Sequence, residues 1–252
     1  MIEEKLTIVL VGGLAMRASD FSSLVGSLAH RGIKAIVYDN LDVGAGPRPG
    51  SLSIQAQAEH GWSNINAIIG RDSRVNLFGI SMGGMIAATM ATLVPNRILT
   101  LTLGATSPNT ADIPAIPDEL YVPWTQVRSP HDLYQCVEIA FGTSTLASKK
   151  PMVEAYYKYR LAKENGQSRR EFIRQLDSIR EFDGSAVYQQ LARMGLDTSL
   201  VSGDEDRLFP SQHAEFIARH VKEHIQLAST GHMLHLENPD GLAGILCRRL
   251  AR

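Results

Sequence analysis

What this chain of 252 residues lacks narrows the field first. It has no surplus of positive charge: 25 Lys plus Arg stand against 26 Asp plus Glu, a formal net charge of -1. A protein that grips a phosphate backbone draws its affinity from clustered cations, so nucleic acid is not an expected partner. Blocks of like charge, the mark of an interaction tail, are missing too. Only two cysteines occur, Cys136 and Cys247, far apart and without metal-ligand spacing. Nothing marks the chain as secreted, so no disulfide is expected. Cys247 falls in a helical pattern (Leu242, Ile245, Leu246, Leu250) where a small buried thiol is the ordinary reading. No apolar run approaches the ~20 residues needed to cross a bilayer. The acidic opening Met1-Ile2-Glu3-Glu4-Lys5 leads at once into a strand pattern, which is not the design of a signal peptide. The expectation is a cytoplasmic protein with no membrane partner.

What is present suffices for one large core, since 44% of the residues are hydrophobic. Short apolar runs alternate with longer segments of helical period, the pattern of a mostly parallel sheet covered on both faces. Six runs read as strands: Leu6–Val11, Ile33–Tyr38, Arg74–Phe78, Ile98–Leu103, Thr198–Ser202 and Ile225–Ala228. None shows the polar alternation of a one-sided sheet. Between them fall helical segments at Phe21–His30, Ser53–Ile69, Met82–Leu93, Gln212–Val221 and Gly241–Leu250. The predicted class is α/β, about six strands with helices on both faces.

One stretch breaks the rhythm. From Gly104 to the strand near Leu200 no strand pattern occurs; a loop punctuated by Pro108, Pro114, Pro117, Pro123 and Pro130 comes first. Helix-like pieces follow at Asp132–Phe141, Met152–Glu164 and Arg169–Arg180. A structureless loop of that length would be out of place in a compact domain, so residues 107–195 read as a helical lid inserted into a core of 1–106 and 196–252. An insertion at the carboxyl edge of a parallel sheet stands where ligands bind. Its aromatics (Tyr121, Trp124, Tyr134, Phe141, Tyr156, Tyr157, Tyr159) either line an apolar pocket or pack the insertion's own core.

Phe78-Gly79-Ile80-Ser81-Met82-Gly83-Gly84 matches G-x-S-x-G with a strand leading in and a small-residue helix leading out. A serine on such a sharp turn projects its hydroxyl from the sheet top, and the glycines let the backbones approach closely. Serine is a weak nucleophile unless a base takes its proton, and that base needs an orienting acid. Downstream, the strand at Thr198–Ser202 ends in Gly203-Asp204-Glu205-Asp206-Arg207-Leu208-Phe209-Pro210, and the last strand ends in Ser229-Thr230-Gly231-His232. Of the three carboxylates, Asp206 has the Gly-x-x-Asp-x-x-x-Pro register; Asp204 and Glu205 read as solvent-facing or turn-capping. Among eight histidines, His30, His213, His220 and His224 read as surface residues, His60 lies on a helix pattern and His131 follows the proline-rich loop. His232, directly after a strand and a glycine, reads as the base; His235 reads as a residue behind it or in the pocket. The chain order Ser, Asp, His fits. Two backbone donors are needed for an oxyanion: the N–H of Met82 and, from the loop Val11-Gly12-Gly13-Leu14-Ala15, that of Leu14.

At these blocks, together with Tyr38-Asp39-Asn40-Leu41-Asp42-Val43-Gly44, the chain resembles the α/β-hydrolase superfamily along nearly its whole length. Gly12-Gly13 and Tyr38–Gly44 are most similar to bacterial esterases of natural-product pathways, the aclacinomycin methylesterase type. Two departures stand out. The family's histidine before the oxyanion-loop glycine is replaced by Gly12, which implies a reshaped loop. The chain also opens at what would be the family's third strand, as in hydroxynitrile lyases and plant methylesterases.

The resemblance implies hydrolysis of a small carboxylic ester, an apolar small-molecule substrate, and neither metal nor cofactor. Thioester, lactone or carbon–carbon bond hydrolysis, and lyase or acyl-transfer chemistry, use the same triad, and fold does not name the substrate. A ligand-binding receptor of the same fold is the alternative from another class.

Overall fold

The computed structural model describes residues 6–127, 129–162 and 167–251. The opening Met1–Lys5, and Lys163 and Glu164 at the end of the expected helix Met152–Glu164, lie outside the described residues. Among the described residues six strands form the sheet: β1 (Thr7–Val11), β2 (Lys34–Val37), β3 (Val75–Ile80), β4 (Ile98–Gly104), β5 (Thr198–Gly203) and β6 (Glu223–Leu227). They lie in the order β2-β1-β3-β4-β5-β6, every neighbouring pair parallel.

The central strands carry apolar residues at successive positions because both faces are covered. In β1, Val9 and Val11 face one core while Ile8 and Leu10 face the other; in β3, Val75 and Leu77 oppose Phe78 and Ile80 in the same way. Helices α1 (Ser22–Ala29) and α12 (Pro239–Leu250) pack on the Ile8 face. The Val9 face is covered by α2 (Ile54–Ile69), α3 (Met82–Leu93) and α10 (Ser211–Ala218). Helix α3 is buried at every position from Met82 to Ala91, which explains its lack of a polar stripe. Edge strand β6 departs from the expectation. It starts at Glu223, and its residues alternate between half-buried and exposed, with Glu223 and Ile225 inward and His224 and Gln226 outward. Edge position explains this, since a strand with one neighbour needs no apolar pair of faces.

Between β4 and β5 the described residues form six helices: α4 (Asp118–Thr125), α5 (Pro130–Glu138), α6 (Thr143–Ser148), α7 (Lys150–Leu161), α8 (Arg169–Glu181) and α9 (Ser185–Met194). Helices α5 and α8 begin at the capping boxes Ser129/Asp132 and Ser168/Glu171, each serine accepting the N3 amide while the acid reaches back to the cap. Three of the six were not expected. The Pro-rich stretch holds α4, with Pro123 inside it. Helix α9 lies between Gly184 and Gly195, the latter left-handed at φ 65 as a C-terminal glycine permits. The short α6 follows Gly142. A last turn, α11 (Leu234–Glu237), precedes α12. Both cysteines are free thiols, and Cys247 is half-buried rather than buried. No described helix is long and apolar enough to cross a membrane.

Candidate active site

Strand β3 runs two residues further than its pattern suggested, so that Ser81 stands at the turn itself, between Ile80 and the first residue of α3. Its backbone is left-handed, φ 58 and ψ -126, a conformation that a non-glycine residue holds only when its surroundings over-determine it. They do: Ser81 donates its N–H to Gly104 at 2.9 Å, while its carbonyl accepts from Gly84 N–H at 2.8 Å and Thr106 Oγ1 at 2.7 Å. The glycines make the turn possible. A Cβ on Gly79 would lie 2.1 Å from the Gly83 carbonyl oxygen, and one on Gly83 would lie 2.1 Å from that of Val11.

Past β5, the Asp206 carboxylate is fixed from both sides. Its Oδ1 accepts from the amides of Leu208 and Phe209, each at 2.9 Å, and its Oδ2 accepts from Nδ1 of His232 at 2.9 Å. The two side chains are 3% and 5% exposed, enough burial for the charge-assisted bond to hold one tautomer. That leaves Nε2 of His232 for proton transfer. Phe209 packs edge-on against the imidazole at 5.0 Å. The competing acids go elsewhere: Asp204 accepts from the Thr230 amide at 3.1 Å, and Glu205 accepts from Thr143 Oγ1 and from the amide and hydroxyl of Ser144. Those Ser144 bonds hold the Glu205 carboxyl below its usual range.

The loop carrying His232 is anchored by a carboxylate of its own. Glu237, 2% exposed, accepts from Gly231 N–H at 3.0 Å, Met233 N–H at 3.0 Å and Gly142 N–H at 2.9 Å. His232 itself donates its amide to the Ala140 carbonyl. The residues on either side of the histidine are thus bound to one buried group, which also holds the start of α6.

Ser81 and His232 line one cavity of about 130 Å³ together with Gly13 and Leu14. The walls are mostly apolar, built from Leu208 and Phe209 of the β5 loop and from Trp124, Val137, Tyr156, Phe172 and Ile179 of the segment between β4 and β5, which also contributes Arg160. Of the seven aromatics considered there, Trp124 and Tyr156 line the cavity, while Phe141 is fully buried and Tyr134 packs against Tyr157 at 5.1 Å. In the loop after β1, the Gly13 amide donates to Met16 Sδ and the Ala15 amide to Gln175 Oε1. The Leu14 amide between them makes no hydrogen bond among the described residues. Met82 opens α3, where the first amides have no partner within the helix.

Other histidines separate by burial. His30 and His224 are exposed, and His224 shares a 2.8 Å hydrogen bond with Ser202 Oγ. His220 is half-buried and stacked on Phe216. His213 is a correction to the surface reading: it is 3% exposed, one turn before buried Ile217 on the inner face of α10, and its Nδ1 meets Ser107 Oγ at 2.8 Å. Burial pushes its pKa down to about 4. His235 is fully buried against Phe21 and does not line the cavity. Burial, with His232 beside it, pushes its pKa down to about 3. No group of three or more His, Cys, Asp or Glu placed to hold a metal ion occurs among the described residues.

Two residues that shape the site gave no signal in the sequence: Arg160 and Gln175. Gln175 and Arg160 lie on amphipathic helices where such side chains usually face water.

The geometry can be set beside known proteins. Residues 7–239 match the family model described as alpha/beta hydrolase fold. No curated protein matches the sequence. Among solved structures, an alpha/beta hydrolase enzyme from a Medee basin deep-sea metagenome library superposes with a TM-score of 0.82 at 18% identity, over 98% of this chain and 89% of that one. A thermophilic esterase from Thermogutta terrifontis gives 0.80 at 18%, over 97% and 89%. The enol-lactonase from Burkholderia xenovorans gives 0.79 at 19%, over 98% and 91%. At such identities the superpositions speak for the fold; the match over residues 7–239 places this chain in the alpha/beta hydrolase fold family, and it is an α/β-hydrolase.

Proposed function

We propose that this chain hydrolyses a small carboxylic ester through an acyl-enzyme on Ser81. The observation that carries the reading is the 2.9 Å bond between Asp206 and Nδ1 of His232, a histidine that lines one cavity with a serine on a strained turn. Ser81 Oγ attacks the acyl carbon while its proton passes to Nε2 of His232. The charge that develops on the carbonyl oxygen is met by the amides of Leu14 and Met82. The tetrahedral adduct collapses, the carbon–oxygen bond to the alcohol breaks, and His232 returns the proton to the leaving oxygen. Water then attacks the acyl carbon with His232 as base, releasing the carboxylic acid and restoring the serine. Asp206 stays ionised and stabilises the imidazolium throughout.

The substrate is a small molecule with an apolar acyl or alcohol portion, because the walls beyond the reacting groups are mostly aliphatic and aromatic, with Arg160 as the one charged side chain among the described residues that form them. In this reading residues 107–195 act as the lid over a core formed by 1–106 and 196–252. Resemblance in fold to both an esterase and an enol-lactonase makes lactones the second substrate class to assay.

The test is p-nitrophenyl acetate turnover with a burst of p-nitrophenol, stoichiometric phosphonate labelling at Ser81, and loss of both in Ser81→Ala. Turnover should fall by on the order of 10⁴-fold or more with the fold retained. A variant keeping a tenth of the activity would remove Ser81 from the nucleophile's role. A wild-type chain that binds esters without turnover would favour the receptor.

A further inference from the structure

The loop after β1 is held from near and far in the sequence. Its first carbonyl, Gly12, accepts from Asn40 Nδ2 at 2.8 Å, and Gly13 is engaged by Met16 through both its amide and its carbonyl. Ala15 is different. Its amide donates to Gln175 Oε1 at 2.8 Å, and its carbonyl accepts from Arg160 Nη1 at 2.6 Å. Both polar groups of one loop residue are therefore taken by side chains of α7 and α8. Ala15 also has φ 57, in the left-handed region that alanine avoids.

Gln175 is fully buried and uses both ends of its amide, since Nε2 donates to the Leu41 carbonyl at 2.9 Å. Leu41 is fixed in turn by Gln57 of α2, which accepts the Leu41 amide at 2.8 Å. Arg160 is anchored on the other side by Asp20 at 3.6 Å, whose side chain is 1% exposed. These are rigid, desolvated supports, and they converge on the residue next to Leu14. A left-handed alanine whose amide and carbonyl are both claimed from outside cannot relax to ordinary backbone without breaking two buried hydrogen bonds.

Resting on the hydrolase reading, we propose that Gln175 and Arg160 are positioning residues: by clamping Ala15 in its left-handed conformation, they aim the Leu14 amide at the developing oxyanion. The helical segment then does more than shape the substrate cavity; it completes the oxyanion site. Gln175 is the cleaner probe, because Arg160 lines the cavity and Gln175 does not.

The experiment compares wild type, Gln175→Met and the double variant Ala15→Gly/Gln175→Met. It reads kcat and KM on p-nitrophenyl acetate, and inhibition by a trifluoromethyl ketone, which forms a serine hemiketal oxyanion, against that of the matching methyl ketone. Losing one oxyanion donor costs on the order of 10²-fold in kcat, and Gln175→Met should approach that with KM moved by less than about threefold. Trifluoromethyl ketone binding should weaken by the same factor as kcat/KM, while methyl ketone binding stays put. Glycine at position 15 makes the left-handed backbone intrinsically accessible, so the double variant should regain roughly 5- to 10-fold of the lost kcat, which a merely structural role of Gln175 would not produce. Should Gln175→Met fail to fold, Gln175→Asn, one methylene too short to span Ala15 and Leu41, takes its place with the same expected loss. If the trifluoromethyl ketone leaves the wild type untouched, the hydrolase reading falls and the clamp's catalytic role with it. If it inhibits wild type and the Gln175 variant equally, the clamp alone is overturned.

Discussion

Lowering the pH should destabilise this protein through His235, and the size of the effect follows from where that residue sits. His235 is fully buried against Phe21, with both ring nitrogens unpartnered among the described residues. In the folded chain its pKa is pushed down to about 3 from an ordinary 6.5. The unfolded chain therefore takes up a proton that the folded chain refuses over the whole interval between those values. Its contribution is fully present above pH 6.5 and drains away as the pH falls, at about 1.4 kcal/mol per unit. Between pH 7 and pH 5 the loss amounts to about 2 kcal/mol from this one residue, against a total stability of roughly 5–15 kcal/mol for a typical domain. His213, lowered to about 4, pulls in the same direction. The perturbation is His235→Leu, close in volume and unable to protonate. Urea unfolding followed by tryptophan fluorescence at pH 7 and pH 5 gives the stability of both proteins. The variant should keep about 2 kcal/mol more of its pH 7 stability at pH 5 than wild type keeps. Equal losses in the two proteins would refute the reasoning, because the proton would then be entering elsewhere.

The acid assignment has a sharp test on p-nitrophenyl acetate: Asp206→Asn should lower kcat by on the order of 10⁴-fold, whereas Asp204→Asn and Glu205→Gln should change it little. An equal loss at Asp204 would show that the wrong carboxylate has been assigned. The turn itself can be probed with Gly83→Ala, whose new Cβ would lie 2.1 Å from the Val11 carbonyl oxygen. Backbone must shift to admit it, so expression should fall, or the melting temperature should drop by at least several degrees; an unchanged melting curve would contradict the packing described.

Ser81, Asp206 and His232 were legible as candidates in the sequence because each follows a strand, and strand ends in a parallel sheet are read from short apolar runs and the glycines after them. Gly79 and Gly83 around Ser81, Gly203 before Asp206 and Gly231 before His232 all mark such ends. The strand boundaries were less legible. Ile80 belongs to β3, but a glycine at 79 masks the continuation. Edge strand β6 begins at Glu223, outside any apolar run, because its register is set by pairing with β5 rather than by burial. In the inserted segment, helix propensity competed with proline: Pro123 lies in the second turn of α4, where proline usually argues against a helix. His213 eludes a sequence reading because a histidine at the start of an amphipathic helix looks solvent-facing until Ser107, 106 positions away, supplies its partner. Gln175 is hidden for the same reason, since both its partners are backbone groups remote in sequence and no residue type announces them.

The ties between residues 138–149 and the loops bearing Asp206 and His232 bear on how such a protein can change over evolutionary time. Glu237 binds Gly142, and Glu205 binds Thr143 and Ser144. Arg207 donates to the carbonyls of Glu138 and Phe141, and Lys149 donates to that of Glu237. A segment joined to the sheet only at its two chain crossings could be swapped wholesale for another, trading one substrate for the next. Here a foreign segment would arrive without the Gly142 amide, one of the three donors that hold Glu237 beside His232, and without the Thr143 and Ser144 donors of Glu205. New specificity is therefore more accessible through point changes along the walls, at Trp124, Val137 or Phe172, than through exchange of modules, and the two halves of the molecule are bound to diversify together.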